Sequence, residues 1–187
     1  LQKRKQKIVN ELEVIKEYMD YLYNFIKGNS YIISFLDKDE YILEILGDEE
    51  IKNEFKRRFN YEVGVKWDEH KVGTNASSLA LKSRDNVQLM GSEHYCEILH
   101  DLGCSASPIK DVNGNIIGTL KITGLIPEVN PHTLGMVVTS TKAISNELKQ
   151  KDLNIQLKAK NKLEKAIFQS ISEGILFVED AIIEIFS

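Results

Sequence analysis

Between residues 3 and 27 the apolar positions Ile8, Leu12, Ile15, Met19, Leu22 and Ile26 recur in alternating steps of four and three. That is the a/d period of a helix-to-helix seam, narrower than the stripe of an ordinary surface helix. It predicts a dimerisation helix over 1–28, closed by Gly28-Asn29-Ser30. Two strands follow over 31–36 and 41–46, with the polar turn "DKDE" between them. A helix over 49–59 puts Ile51, Phe55 and Phe59 on one side, behind Asp48 as N-cap. Asn75 is the N-cap expected for a short helix in "VGTNASSLALKS". In "NVQLMGSE" Val87 and Leu89 alternate with Gln88 and Met90, as in a strand, and "EHYCEILHDLG" reads as a short helix ended by Gly103. "CSASPIKDVNGNIIGTLKITGL" is a hairpin turning at Asn113-Gly114, with Ile116, Ile117, Leu120 and Ile122 on its apolar side. From Pro131 a long helix runs to about Ser172, stopped by Gly174, and "ILFVED" and "AIIEIF" then alternate like two strands. Strands and helices do not alternate in the parallel βαβ manner, so the fold class is α+β with an antiparallel sheet.

Composition narrows the partners. Hydrophobic residues make up 42% and charged residues 28%, and the net charge is −4. An acidic balance of this kind argues against a nucleic-acid surface. No apolar run approaches the ~18 residues of a membrane span, and the basic opening "LQKRKQK" leads into an amphipathic helix rather than a signal core. The two cysteines, Cys96 and Cys104, are too few for a disulfide framework, which places the expected location in a reducing cytoplasm. The chain has no initial Met and breaks off within an apolar alternation, so it reads as a fragment of a longer protein.

Candidate chemistry is densest in "SEHYCEILHDLGC". His94, Cys96, His100 and Cys104 are metal-binding residue types, and on a helix Cys96 and His100 would share a face. Their spacing matches no CxxC or HExxH signature, so no metal is expected. A thiol pair, with an imidazole lowering one pKa, is a redox alternative. GxSxG and GxxxxGK[ST] are both absent, so no catalytic residue is assigned. The remaining reading is a small-molecule cavity between sheet and helices, with Trp67, Thr74, Asn75, His94, Tyr95, Cys104 and Ser105 as ligand-binding candidates. Each has a structural alternative: Thr74 and Asn75 as helix caps, His94 and Tyr95 as core closers.

The pieces "VGTNASSLAL", "VQLMGSEHYC", "GCSASPIKDVNGNIIGTLKITG" and "NPHTLGMVVTSTKAISNEL", in this order over residues 72–148, resemble the GAF sensor domain of sigma-54-dependent activators of the acetoin- and glycerol-catabolism regulator type. The resemblance implies a GAF-like sheet of five or six strands flanked by helices, over 29–148. It implies a pocket for an unidentified small-molecule effector, and a homodimer made through the first and last helices. Residues 149–172 would be a signalling helix, and 173–187, "AIFQSISEGILFVED" leading in, would be the start of a PAS domain. In such regulators an AAA+ ATPase acting on sigma-54 polymerase and a DNA-binding helix-turn-helix follow, so contacts with polymerase and DNA would belong to domains outside this sequence, and this segment would not itself be an enzyme. Two alternatives on the same fold are a thiol enzyme similar to the free-methionine-sulfoxide reductases, resting on Cys96 and Cys104, and a metal- or gas-sensing GAF domain.

Overall fold

The computed structural model of the chain describes residues 1–126 and 129–185, with the backbone alone from residue 170 onward. Residues divide into two units, Leu1–Leu148 and Lys149–Ser187.

In the first unit, β1 (Ile32–Asp37) and β2 (Ile42–Gly47) pair antiparallel. The Asp37 carboxylate fixes their turn by accepting the amides of Asp39 (3.0 Å) and Tyr41 (2.9 Å). β3 (Val87–Met90), β4 (Leu102–Lys110) and β5 (Ile116–Leu125) complete a five-stranded sheet in the order β2-β1-β5-β4-β3, with every neighbouring pair antiparallel. The β4–β5 turn spans 111–115. Asp111 accepts the amides of Asn113 and Asn115, each at 2.8 Å, and Gly114 supplies the positive φ of +81°.

Both faces of the sheet are covered. β1 is buried at every position: Ile33 and Phe35 point to one core, Ile32 and Leu36 to the other. The first core contains α2 (Val9–Ile26) and the opening of α6 (Pro131–Ile185), where Leu12, Ile15 and Met19 meet Leu120, Ile122, Val137 and Ile144. The second contains α3 (Glu49–Phe59) and α5 (Ala76–Ser83), packed over Leu89, Cys104 and Ala106.

Several expectations change. The N-terminal helix is interrupted at Ile8, where φ and ψ are −129° and 34°, leaving a separate α1 (Gln2–Lys7). The seam assigned to a dimer is spent inside the chain. Leu12, Ile15, Met19, Leu22 and Ile26 are buried in the first core, with Ile8 packed against it. A heptad-like spacing cannot say whether its partner helix lies in another subunit or, as here, later in the same chain. The stretch 93–103 expected as a helix holds only the end of one 3₁₀ turn, Gly91–Glu93, and a second, Glu97–Leu99, and Gly103 lies within β4, so Cys96 and His100 do not share an α-helical face. α6 continues past Gly174 to Ile185, where two strands were expected; residues 186 and 187 of that expectation lie outside the described residues. Within the second unit, Leu153, Ile155, Leu157 and Leu163 are exposed.

Candidate functional site

The site lies under the second core. α3 presents Phe55 and Phe59 from successive turns of one face and then ends at Asn60, whose left-handed φ of 52° turns the chain back. That reversal brings Tyr61 beneath the helix, held by its amide to the Phe55 carbonyl at 3.3 Å. Its hydroxyl meets Ser34 Oγ on β1 at 2.6 Å. The chain then runs beside β2, and the Trp67 amide donates to the Glu40 carbonyl at 2.8 Å. Tyr61 and Trp67 thereby meet edge to face, with centroids 4.7 Å apart.

The sheet supplies the polar floor. Along β5 the side chains alternate, Leu120 and Ile122 into the first core, Lys121 and Thr123 toward the aromatic wall. Lys121 is only 3% exposed, and its ammonium lies 4.4 Å from the Tyr61 ring centroid and 5.6 Å from that of Trp67. Among the described residues it has no carboxylate partner; a cation desolvated over aromatic faces gains ~2 kcal/mol, which offsets only part of its burial cost. Across the ladder, Cys104 Sγ lies 3.4 Å from Thr123 Oγ1, the two residues being directly opposed in register.

His94 closes the floor from the first 3₁₀ turn. Its Nδ1 is 3.1 Å from the Gly91 carbonyl, which assigns the proton to that nitrogen. Its Nε2 is buried and has no hydrogen-bond partner among the described residues. Burial opposes charge on His94, but the pull of the Cys104 sulfur outweighs it and raises His94 above its ordinary value. Burial likewise pushes the Cys104 thiol up, and His94 and Lys121 together bring it below its usual range.

Trp67, Asn75, His94 and Cys104 therefore converge on one cavity, joined by Tyr61, Lys121, Thr123 and the walls from α3. Asn75 also caps α5: its Oδ1 accepts the Ser78 amide at 3.1 Å, and its Nδ2 donates to Gly73 O (3.1 Å) and Ser78 Oγ (2.8 Å). Three candidates lie elsewhere. Tyr95 is 77% exposed, its ring against Gly73, where φ is +66° and a Cβ would sit 2.5 Å from it. Ser105 is on the opposite face of β4, accepting from Gln88 at 2.9 Å. Thr74 is half-buried outside the lining, and its carbonyl accepts the Tyr95 amide at 3.3 Å. The room left is about 20 Å³, enough for a single water and much less than the cup expected, because Lys121 and the aromatic rings fill it. Among the described residues no group of three His, Cys, Asp or Glu side chains is placed to hold a metal. Nor is any helix among them long and apolar enough to cross a membrane.

No protein-family model matches the chain. It is 34% identical over 168 residues, 90% of its length, to the signal-transduction and transcriptional-control protein of Clostridium beijerinckii. It is 32% identical over 146 residues to the acetoin dehydrogenase operon transcriptional activator AcoR of Bacillus subtilis. The chain spans about a quarter of these relatives, 26% and 24% of their lengths. In three dimensions it is similar to the N-terminal part of DhaR in the Escherichia coli DhaR(N)-DhaL complex, with a TM-score of 0.83 at 19% identity, covering 86% of this chain and 55% of that one. The GAF domain/HD domain protein of Geobacter sulfurreducens follows at a TM-score of 0.51 and 16% identity, over 75% of this chain and 93% of that one. By fold and by sequence together, the chain is a GAF-like relative of AcoR-type transcriptional activators.

Proposed function

We propose that this chain is the sensory and dimerising region of a cytoplasmic, sigma-54-dependent transcriptional regulator. In this reading a small intracellular effector enters the cavity between α3 and the sheet, and an AAA+ ATPase and a DNA-binding domain outside this sequence carry the output. The observation supporting it most directly is the convergence of Trp67, Asn75, His94 and Cys104 on one buried, partly polar cavity, in a chain whose relatives are named as transcriptional regulators. An effector of several heavy atoms exceeds about 20 Å³, so its binding is coupled to outward movement of the walls. Such coupling is what a sensor requires, since a ligand indifferent to two arrangements shifts neither. The test is a thermal-shift screen of small alcohols, ketones, diols and organic acids, with native mass spectrometry of the hits. A true effector raises the melting temperature with dose as RT ln(1 + [L]/Kd). A screen without a dose-dependent hit counts against the reading.

A protein effector is the second reading. The small cavity favours it, and the structural neighbour DhaR(N) was solved in complex with DhaL. Native mass spectrometry of the chain with candidate partner proteins, in the absence of small molecules, separates the two. The thiol-enzyme alternative rests on Cys96 and Cys104, of which Cys104 lines the cavity and Cys96 does not, and wild-type protein that never reduces free methionine sulfoxide dismisses it.

A further inference from the structure

The cavity's electrostatics specify more than its presence. Of the residues lining it, Lys121 is the one standing cation, and none is acidic. Shifting the Cys104 proton onto His94 exchanges a neutral pair for an ion pair and leaves the sum at one positive charge. Whatever the tautomer, the site holds an uncompensated cation in a desolvated setting. Holding such a cation out of water is unfavourable unless a counter-charge arrives.

A second observation points the same way. His94 is 2% exposed, lines the cavity, and leaves Nε2 without a partner. With Nδ1 committed to the Gly91 carbonyl, Nε2 is a bare acceptor in the neutral ring; it becomes a donor directed at a guest once a proton is taken up together with the anion. Among the other polar lining groups, Asn75 is engaged in capping α5, Thr123 with the Cys104 sulfur and the Tyr61 hydroxyl with Ser34. The aromatic wall of Phe55, Phe59, Tyr61 and Trp67 then faces the remaining, apolar end of a guest.

We propose that the cavity takes a small carboxylate with a short apolar or hydroxylated tail, its oxygens accepting hydrogen bonds from Lys121 Nζ and His94 Nε2. This rests on the reading of the cavity as the sensory site. Neutral molecules of the same shape leave the charge uncompensated and bind less well.

The test compares acetate, glycolate and lactate with acetamide, glycolamide and lactamide, by calorimetry and by the Trp67 indole signal in NMR spectra of the whole chain. The carboxylates are expected to bind roughly tenfold or more tightly than their amides, the scale of a charge-assisted hydrogen bond. Lys121→Met, which keeps the stem and removes the charge, should erase that preference while the free chain stays folded. Should Lys121→Met fail to fold, His94→Gln serves instead and should weaken carboxylate binding at least severalfold. Amides binding as well as carboxylates, a preference that survives Lys121→Met, or carboxylate binding that His94→Gln used in its place leaves unchanged, would overturn the inference and leave the cavity as a site for neutral effectors. No perturbation of Trp67 by either series would overturn the carboxylate assignment and remove support for the cavity as the sensory site itself.

Discussion

Single positions set how closely β5 can approach β1. Gly118 on β5 faces β1 so closely that a Cβ there would lie 2.1 Å from the Leu36 carbonyl oxygen and 2.6 Å from the Phe35 ring. Gly118→Ala is therefore expected to destabilise the chain by about 1–3 kcal/mol, the cost of overpacking against backbone. Urea denaturation checks it, with the midpoint falling at unchanged slope. Asp68 illustrates a polar counterpart. Its carboxylate pairs with Lys66 at 2.7 Å and caps α4 (Glu69–Val72) through the Lys71 amide at 3.1 Å. The Lys66 contact holds it below the usual carboxylate range against the opposing effect of burial. A depressed folded pKa gives stability that is present above the unfolded value and lost as pH falls through the folded one. Asp68→Asn should then cost about 1 kcal/mol at neutral pH, as for a lost cap. The gap from wild type should close as acid protonates Asp68; a gap that persists at low pH rejects the charge-based account.

Among the elements, α2 and β5 show how local pattern and tertiary context part company. The seam was legible, five of its six residues lying on α2; its partner was not, because a helix records only that something apolar faces it. Met19 is wholly buried in the chain's own core, so Met19→Ala is expected to cost about 2–5 kcal/mol in unfolding free energy while leaving the mass in light scattering unchanged. Loss of a dimer without loss of stability would restore the intersubunit seam. On β5 the alternation of Leu120 and Ile122 with Lys121 and Thr123 suggests one wet face, as antiparallel sheets commonly have. Here α3, α5 and the Tyr61–Trp67 segment cover that face, and the polar residues become the floor of a cavity. This is why Lys121 escaped the sequence reading whereas Asn75, with its helix-capping signature, did not. Turn and cap chemistry is local and survives at Asp37, Asp111 and Asn75, whereas Asp48 stands at the N-cap of α3 without accepting an amide, its carboxylate taken by the Tyr23 hydroxyl. Tyr95 and Ser105 failed for the opposite reason, since which side of a short turn or strand faces a cavity depends on what packs above it.

For the whole molecule, the burial of the α2 seam moves the expected homodimer contact to other surfaces. Beyond residue 148, α6 carries exposed Leu153, Leu157 and Leu163. Leu157→Lys combined with Leu163→Lys should turn a dimer into a monomer by light scattering with little change in melting temperature; a dimer that persists rules out this stretch of helix. The two-sidedness of β5 carries a further consequence. One residue reaches into the cavity and the next reaches into the contact between α2 and the opening of α6. A guest that draws Lys121 inward tugs on a strand whose Leu120 and Ile122 are wedged between those helices. News of its arrival has only the thickness of a single peptide to cross, and the methyl group of Ile122 is where a spectrometer would first hear it.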